Sequence, residues 1–287
     1  MPNFARVLAP TDFSRFSFRA ADFARAVANR YHGEVHFVHV APETSEDDQG
    51  TSEDCAARLD AFVSLVRAEG IGSRCTTLQG DPADKILEQA ELDGADLICL
   101  GTHGRQGVER LILGSVAETV LRRSSCPVLT VSEEGDEKVL RDASFSNILC
   151  ALDFAPCSLR ALDLAFSLAE QMGSRLTVLS VVEWLSDGPD EDDPDLNAFR
   201  SRMQQSVQER VDEVIPEPMR RRIEIETVVR VGKPYREILA ELDARDAELV
   251  IMGVRGRNPL DLMLFGSTTH RIVRLASCPV LTTGGKS

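Results

Sequence analysis

The chain contains one glycine-rich arrangement twice: Gly101-Thr-His-Gly104, nine residues, Gly114-Ser115, and then Gly253-Val-Arg-Gly256, nine residues, Gly266-Ser267. Each copy follows a short apolar run and precedes a helix-like segment that ends in Ser-Cys-Pro-Val-Leu-Thr. Glycines let the backbone approach a ligand closely, and free amide groups at a helix start favour phosphate. The pattern therefore predicts a strand, a glycine loop and a helix start that cradle a nucleotide phosphate, in two copies.

The repeat extends over the whole domain. Asp12 matches Asp153 at an offset of 141 residues, and Gly101 matches Gly253 at an offset of 152. The second half thus carries one insertion of 11 residues after its second strand, which is typical of duplication with a longer surface loop. We predict a first domain at residues 1–132, a charged linker at 133–145 and a second domain at 146–287.

Both halves alternate strands with helices. The strands are apolar runs without polar alternation, which is typical of parallel strands buried on both faces. This alternation predicts an α/β fold with a doubly wound sheet and helices on both faces. We predict strands at 4–9, 34–40, 73–79, 96–100, 127–131, 146–151, 175–182, 223–230, 248–252 and 279–283, and helices at 14–32, 51–69, 82–93, 115–123, 158–172, 195–214, 234–244 and 267–275.

Composition excludes several function classes. The net charge of −14 is unsuited to binding nucleic acid or an anionic membrane surface, both of which need a basic footprint. No run approaches the ~18 apolar residues of a membrane span, and the first residues lack the pattern of a signal peptide. The seven cysteines are scattered and form no Cys-x-x-Cys pair, which indicates reduced thiols. We therefore expect a cytoplasmic protein.

Two acidic stretches, Glu43–Asp54 and Glu183–Asp195, follow the second strand of each half. We interpret them as solvated loops, with a calcium site as the alternative. The glycine and terminal glutamate of an EF-hand loop are absent, so we predict no metal site made by the protein alone.

The carboxyl ends of the strands are the expected location of the site. In an open parallel sheet, ligands bind where the strand order reverses. If the order is 3-2-1-4-5, the ends of strands one and four flank that point. The first pocket would then use residues 10–12 of strand one, Val40 of strand two and the loop from Gly101 to Val116.

Four charged side chains belong to this interpretation. Arg105 and Arg257, just after the second glycine of each copy, are candidates to pair with phosphates. His103 is a candidate hydrogen-bond donor, and Arg255 replaces it in the second copy.

Two alternatives stay open. Asp12 and Asp153 cap a helix, or contact ribose hydroxyls or a metal on the phosphates, or do both. Ser115-Val-Ala-Glu118 fits a capping box, which is compatible with phosphate binding because several amides are free at a helix start. The dinucleotide fingerprint is absent after strand one, and no nucleophile–base pair is recognisable.

These residues resemble the universal stress protein family in its tandem-domain form. The resemblance rests on Pro-Thr-Asp-Phe-Ser at 10–14, the duplicated Gly-x-x-Gly-x9-Gly-Ser and the two Ser-Cys-Pro-Val-Leu segments, and it covers nearly the whole chain. It implies two tandem Rossmann-like domains of the adenine nucleotide α-hydrolase-like type, each with a five-stranded parallel sheet of order 3-2-1-4-5. It also implies binding of ATP, or of ADP or AMP, with or without Mg²⁺ on the phosphates.

The resemblance also assigns roles to residues and elements. It implies that the last strands of the halves, 127–131 and 279–283, pair to form an intramolecular pseudo-dimer, with further homodimerisation as an option. Ala151-Leu152 replaces Pro10-Thr11 in the second half. By position, the first site would use Pro10, Thr11, Asp12, Val40, Gly101, His103, Gly104, Arg105, Gly114, Ser115 and Val116, and the second would use Ala151, Leu152, Asp153, Val181, Gly253, Arg255, Gly256, Arg257, Gly266, Ser267 and Thr268.

Three functional hypotheses follow. The first is an adenine-nucleotide-binding stress or regulatory protein, in which the nucleotide is a ligand with little or no turnover and no residue is catalytic. The second is a slow ATPase or an enzyme that phosphorylates itself at Ser115. The third is a nucleotide-independent interaction scaffold.

Overall fold

The computed structural model describes residues 3–41, 57–60, 63–64, 66–102, 113–131, 143–184, 194–254 and 266–284. By its internal contacts the chain divides into two compact units. We call them the N-terminal unit, Pro2–Ser144 with Ser277–Ser287, and the central unit, Phe145–Ala276. The acidic stretches and the linker lie largely outside the described residues. The predicted domain boundaries, which follow the sequence repeat, stay a prediction.

Strands and helices alternate in the N-terminal unit as predicted. The described residues among 57–68 are also helical. In chain order the elements are β1 (Arg6–Pro10), α1 (Arg15–Arg30), β2 (Glu34–Ala41), β3 (Gly72–Gln79), α2 (Pro82–Asp93), β4 (Leu97–Gly101), α3 (Ser115–Arg123) and β5 (Val128–Val131).

The central unit repeats this order with one addition. A short helix follows the long helix after the second strand, and no sequence pattern predicted it. The elements are β6 (Asn147–Ala151), α4 (Pro156–Met172), β7 (Arg175–Glu183), α5 (Pro194–Val214), α6 (Glu217–Arg220), β8 (Ile225–Gly232), α7 (Pro234–Ala244), β9 (Leu249–Gly253) and α8 (Ser267–Leu275).

The sheet of the N-terminal unit has the order β3-β2-β1-β4-β5, and all of these neighbours are parallel. This confirms the predicted 3-2-1-4-5 order. The last strand of the chain, β10 (Val280–Thr283), pairs with β5 in antiparallel register, with Leu281 opposite Leu129. The predicted pairing between the final strands of the two repeats is therefore present.

The central unit has the parallel order β9-β6-β7-β8, which is the same 4-1-2-3 arrangement of its first four strands. The strands β4 and β9 are buried over four and five consecutive residues respectively. Unbroken burial explains why these runs show no polar alternation, because helices cover both faces of a parallel sheet.

One ion pair occurs at equivalent positions of the two units with its charges exchanged. In the N-terminal unit, Arg74 of β3 pairs with Asp93 of α2 at 2.8 Å. In the central unit, Glu226 of β8 pairs with Arg245, the residue that ends α7, at 2.5 Å. Each half therefore joins its third strand to the following helix through an ion pair, with the positive charge on the strand in the N-terminal unit and at the helix end in the central unit.

Candidate functional site

The predicted site residues collect at the carboxyl edge of each sheet. Pro10 ends β1 and Gly101 ends β4, and these two strands are parallel neighbours. In the central unit, Ala151 ends β6 and Gly253 ends β9, which are also parallel neighbours. The strand order reverses at both places, since β1 and β6 have β2 and β7 on their other sides.

The turn after β1 is tied to the neighbouring strand and to the next helix. The amide of Thr11 donates to the carbonyl of Val38 at 2.8 Å. The hydroxyl of Thr11 accepts the amide of Phe13 at 3.1 Å, and the carboxylate of Asp12 accepts the amide of Ser14 at 3.0 Å. These bonds hold the Asp12 side chain at the sheet edge in a fixed orientation.

The turn after β6 has the same geometry with a less polar residue at its centre. The amide of Leu152 donates to the carbonyl of Leu179 at 2.8 Å, and Asp153 accepts the amide of Ala155 at 2.9 Å. Leu152 is buried, with 3% of its surface exposed, whereas its counterpart Thr11 is half-buried. The two edges therefore share an aspartate and differ in the residue before it, which is Thr11 in one unit and Leu152 in the other.

The helix-cap interpretation of the two aspartates is wrong. The residues that cap α1 and α4 are Ser14 and Ala155, each two positions further along the chain. Each aspartate instead closes a local turn ahead of the helix, which is a common use of a short carboxylate side chain.

An aromatic residue follows each aspartate in a left-handed backbone conformation. Phe13 and Phe154 both have φ of 62°, which costs a non-glycine residue about 1–3 kcal/mol. The guanidinium of Arg58 lies 4.3 Å from the ring centroid of Phe13, and that of Arg210 lies 4.1 Å from Phe154. The sequence signal for these pairs was present, because Arg58 and Arg210 are separated by the repeat offset of 152, but it was missed.

The first glycine of each loop is required by packing against a helix. A Cβ on Gly101 would lie 2.8 Å from the carbonyl carbon of Phe16, in the first turn of α1. A Cβ on Gly253 would lie 2.8 Å from the amide nitrogen of Ser158 in α4. Both distances are too short for any side chain, so these glycines let the helix after the first strand pack onto the end of the fourth.

The helix that follows each loop starts without a capping side chain from the described residues. Gly114 and Gly266 are the N-cap residues of α3 and α8, and within the described part of the chain no side chain caps either helix. Their own amides donate back to Thr102 and Val254, at 3.0 and 3.4 Å. The first-turn amides of α3 and α8 are therefore available to an anion.

The capping box predicted at Ser115 is wrong. Ser115 is the first helical residue and is exposed, so Glu118 falls one position too late to close the box. The second copy starts in the same way, with Ser267 exposed. Thr269 instead bonds the carbonyl of Gly253 at 3.0 Å, which links the start of α8 to the end of β9.

The remaining predicted residues fall in three groups. Val40 and Val181 lie near the carboxyl ends of β2 and β7, at the expected edge, and both are half-buried. Val116 and Thr268 occupy the second positions of α3 and α8. Six residues lie outside the described part of the chain: His103, Gly104, Arg105, Arg255, Gly256 and Arg257.

The described edge thus offers backbone amides at a helix start, one carboxylate and the end of a second strand in each unit. Amides at a helix start bind phosphate, and a carboxylate accepts hydrogen bonds from sugar hydroxyls.

A model of the universal stress protein family matches residues 3–132 and again residues 144–283. The chain belongs to the universal stress protein family. Because the model matches each half separately, the chain is a tandem member with two universal stress protein domains, as the glycine motifs indicated.

Individual universal stress proteins agree with this assignment. One from Methanocaldococcus jannaschii is 33% identical over 145 residues, which are 47% of this chain and 85% of that protein. One from Mycobacterium bovis is 30% identical over 192 residues, 65% of this chain, and the chain spans 61% of that protein's length. The crystal structure of a universal stress protein from Archaeoglobus fulgidus covers 98% of both chains, with 25% identity and a TM-score of 0.73.

The described residues of this universal stress protein add two further observations. None of their helices is both long enough and apolar enough to cross a lipid bilayer. Their cysteines carry free thiols, of which Cys99 and Cys150 are fully buried in the central strands. Burial raises the pKa of both thiols well above the usual range, so they stay protonated.

Proposed function

We propose that each half of this protein binds one adenine nucleotide at the carboxyl edge of its sheet. The nucleotide is a ligand that sets conformation or assembly in a stress response, with little or no turnover. The observation that carries the proposal is the pair of equivalent helix starts at Gly114 and Gly266, whose first-turn amides receive no capping side chain within the described residues. A duplicated, uncapped helix start beside a fixed aspartate suits a phosphate with a sugar attached to it.

Each part of the nucleotide would meet a different element. The amides at the start of α3, with the exposed Ser115, would hold the phosphates. The carboxylate of Asp12, oriented by its bond from Ser14, would accept the ribose hydroxyls. The adenine ring would lie against β2 near Val40. The second nucleotide would use the counterparts of these residues, and Mg²⁺, where present, would be carried by the phosphates.

Two further aspects belong to the proposal. The β5–β10 pairing supports an intramolecular pseudo-dimer of the two repeats, and sedimentation of the full chain measures whether two chains associate. The free thiols of the described cysteines, four of which are buried, support a location in the reducing cytoplasm.

Calorimetry of the full chain tests the proposal. Titration with ATP, ADP and AMP, with and without Mg²⁺, should give two binding sites per chain. Because a ligand that binds only the folded state stabilises it by mass action, a concentration of 100 Kd should add about 2.7 kcal/mol and raise the melting temperature. GTP and CTP are the matched controls. Absence of both heat and a melting shift at millimolar ATP would contradict the proposal.

Mass spectrometry of small molecules released from the purified protein is an independent measurement. An adenine nucleotide that copurifies with the chain is the expected result. A chain that elutes with none, and that takes up none on addition, would favour a scaffold without nucleotide.

A further inference from the structure

The first turns of the helices that flank the two nucleotide edges differ in net charge between the units. In each unit the helix after the third strand packs against the helix that starts at the proposed phosphate site: α2 against α3, and α7 against α8. Both flanking helices begin at the carboxyl edge of the sheet, after the motif Gly-x-Pro at Gly80 and Gly232. Charges at their first turns therefore lie on the same edge as the bound phosphates.

The N-terminal unit has acidic residues at the first turns of α2 and α3. Asp81 caps α2 and accepts the amide of Asp84 at 3.0 Å. Asp84 also pairs with Arg123 of α3 at 2.5 Å, and Glu118 adds an acid in the first turn of α3. Carboxylates near a helix start complement the helix dipole, and they also repel an anionic ligand nearby.

The central unit replaces these acids by bases at the repeat offset of 152. Three exchanges in these helices run in the opposite direction, since Glu237, Glu241 and Leu275 stand at the positions of Lys85, Gln89 and Arg123. Near the helix starts, the exchanges that make the central unit more positive are Asp81 to Lys233, Asp84 to Arg236, Glu118 to His270 and Thr119 to Arg271.

A tyrosine organises the cations of the central unit. We call Lys233, Tyr235, Arg236 and Arg271 the Tyr235 cluster. The guanidinium of Arg271 lies 4.2 Å from the Tyr235 ring centroid, and Nε of Arg236 donates to the Tyr235 hydroxyl at 3.1 Å. The hydrogen bond from Arg236, together with the charges of Arg236, Arg271 and Lys233, lowers the pKa of Tyr235. The residue at this position in the N-terminal unit is Ala83, which offers no ring for an arginine.

The cluster is close to the proposed phosphate position along the chain. Arg271 follows Ser267 by four residues, which is about 6 Å along the axis of α8. Lys233 directly follows β8 at the carboxyl edge. At such distances exposed charges still interact at low ionic strength, because the Debye length is about 10 Å at 0.1 M salt.

We infer that the two sites select nucleotides by charge, the central site favouring triphosphates through the Tyr235 cluster and the N-terminal site favouring nucleotides with fewer phosphates. This inference rests on the proposed function and assigns a ligand class to each site. At these distances Lys233 and Arg271 together should improve the affinity of the central site about fivefold for each added phosphate charge at low salt.

Single-site variants of the full chain allow each affinity to be measured alone. An aspartate at the N-cap blocks one helix start, so G114D reports the central site and G266D reports the N-terminal site. Calorimetry with AMP, ADP and ATP in 50 mM salt should show affinity rising about tenfold or more from AMP to ATP in G114D. In G266D the affinity should stay constant or fall from AMP to ATP. High salt should reduce the difference.

Exchange of the charges between the units provides the decisive comparison. In the G114D background, K233D/R271T should remove the preference for ATP. In the G266D background, D81K/T119R should create one. The control R175T/R221D has the same change in net charge as K233D/R271T, with Arg175 at the opposite end of the strands, and it should leave the preference in place.

Two results would overturn the inference alone: parallel phosphate dependence at both sites, or a preference for ATP that survives K233D/R271T. Absence of nucleotide binding in the unmodified chain would overturn both the inference and the proposed function. Melting curves of each variant establish that the protein is folded during the titrations.

Discussion

The substitution of Gly114 by aspartate should change the stability of the protein and its nucleotide affinity in opposite directions. Gly114 is the N-cap of α3 with φ of −60° and ψ of 138°, a conformation that any residue adopts. Aspartate is a preferred N-cap, because its side chain accepts a first-turn amide and complements the helix dipole. We therefore expect G114D to raise the free energy of unfolding by a few tenths to about 1 kcal/mol.

The same carboxylate should weaken nucleotide binding at that helix. It would occupy the amides that phosphate needs, and it would place a negative charge about 5 Å from the phosphate. The resulting repulsion is about 1–3 kcal/mol per phosphate charge for effective dielectric constants between 80 and 20, or about 5- to 150-fold in Kd. A more stable protein that has lost one site is an outcome that general damage to the fold cannot produce.

Urea unfolding and calorimetry measure the two effects. G114D and G266D should each bind one nucleotide instead of two, and the double variant should bind none. Asparagine caps a helix about as well as aspartate without a charge, so G114N should gain similar stability and lose much less affinity. The reasoning is refuted if G114D binds two nucleotides with unchanged affinity, or if G114N and G114D lose affinity equally.

Three further predictions concern the stability of the fold. G101A should lower the free energy of unfolding by about 1–3 kcal/mol in urea, because its Cβ would lie 2.8 Å from the backbone of Phe16; an unchanged midpoint would contradict this. Burial lowers the pKa of His36, which donates to Asp93 at 2.5 Å, so the unfolded chain binds a proton more readily than the folded chain. The free energy of unfolding should therefore fall as pH drops below about 6.5, and H36Q, which unfolds without this proton uptake, should show a smaller slope. R245M should lower the free energy of unfolding by about 2–4 kcal/mol, because it removes a partner of the buried carboxylate of Glu241. R175M, which removes an exposed ion pair, should lower it by less than about 1 kcal/mol. Equal losses in the two variants would show that burial does not decide the effect.

Much of the architecture could be predicted without coordinates. Element positions agree to within about two residues for most strands and helices, because buried parallel strands and amphipathic helices have distinct local patterns. The long helix Pro194–Val214 was predicted although Val211 is its only buried residue among those described. The short helix at Glu217–Arg220 was missed, since a single turn has no periodicity to detect.

The candidate site could be located but not fully explained. The repeat placed Asp12 and Gly114 at the carboxyl edge of one sheet and their counterparts at the carboxyl edge of the other, because strand ends and helix starts follow from the chain order. The helix-cap alternative for the two aspartates and the capping-box interpretation of Ser115 were wrong, because the residue that begins a helix depends on backbone angles at its first turn. A shift of one residue moves Ser115 from the cap into the helix and leaves its first-turn amides without a capping side chain from the described residues.

The order of residues in the chain by itself determined the duplication, the alternation of strands and helices, and the edge where the glycines and aspartates meet, since each depends on local periodicity or on a constant offset. Only the tertiary structure decided that Gly101 is needed by α1, that Arg58 covers Phe13, and that Arg271 stacks on Tyr235. These contacts join elements far apart in the chain, and their energies depend on distances of a few ångströms that appear only when the helices pack on the sheet.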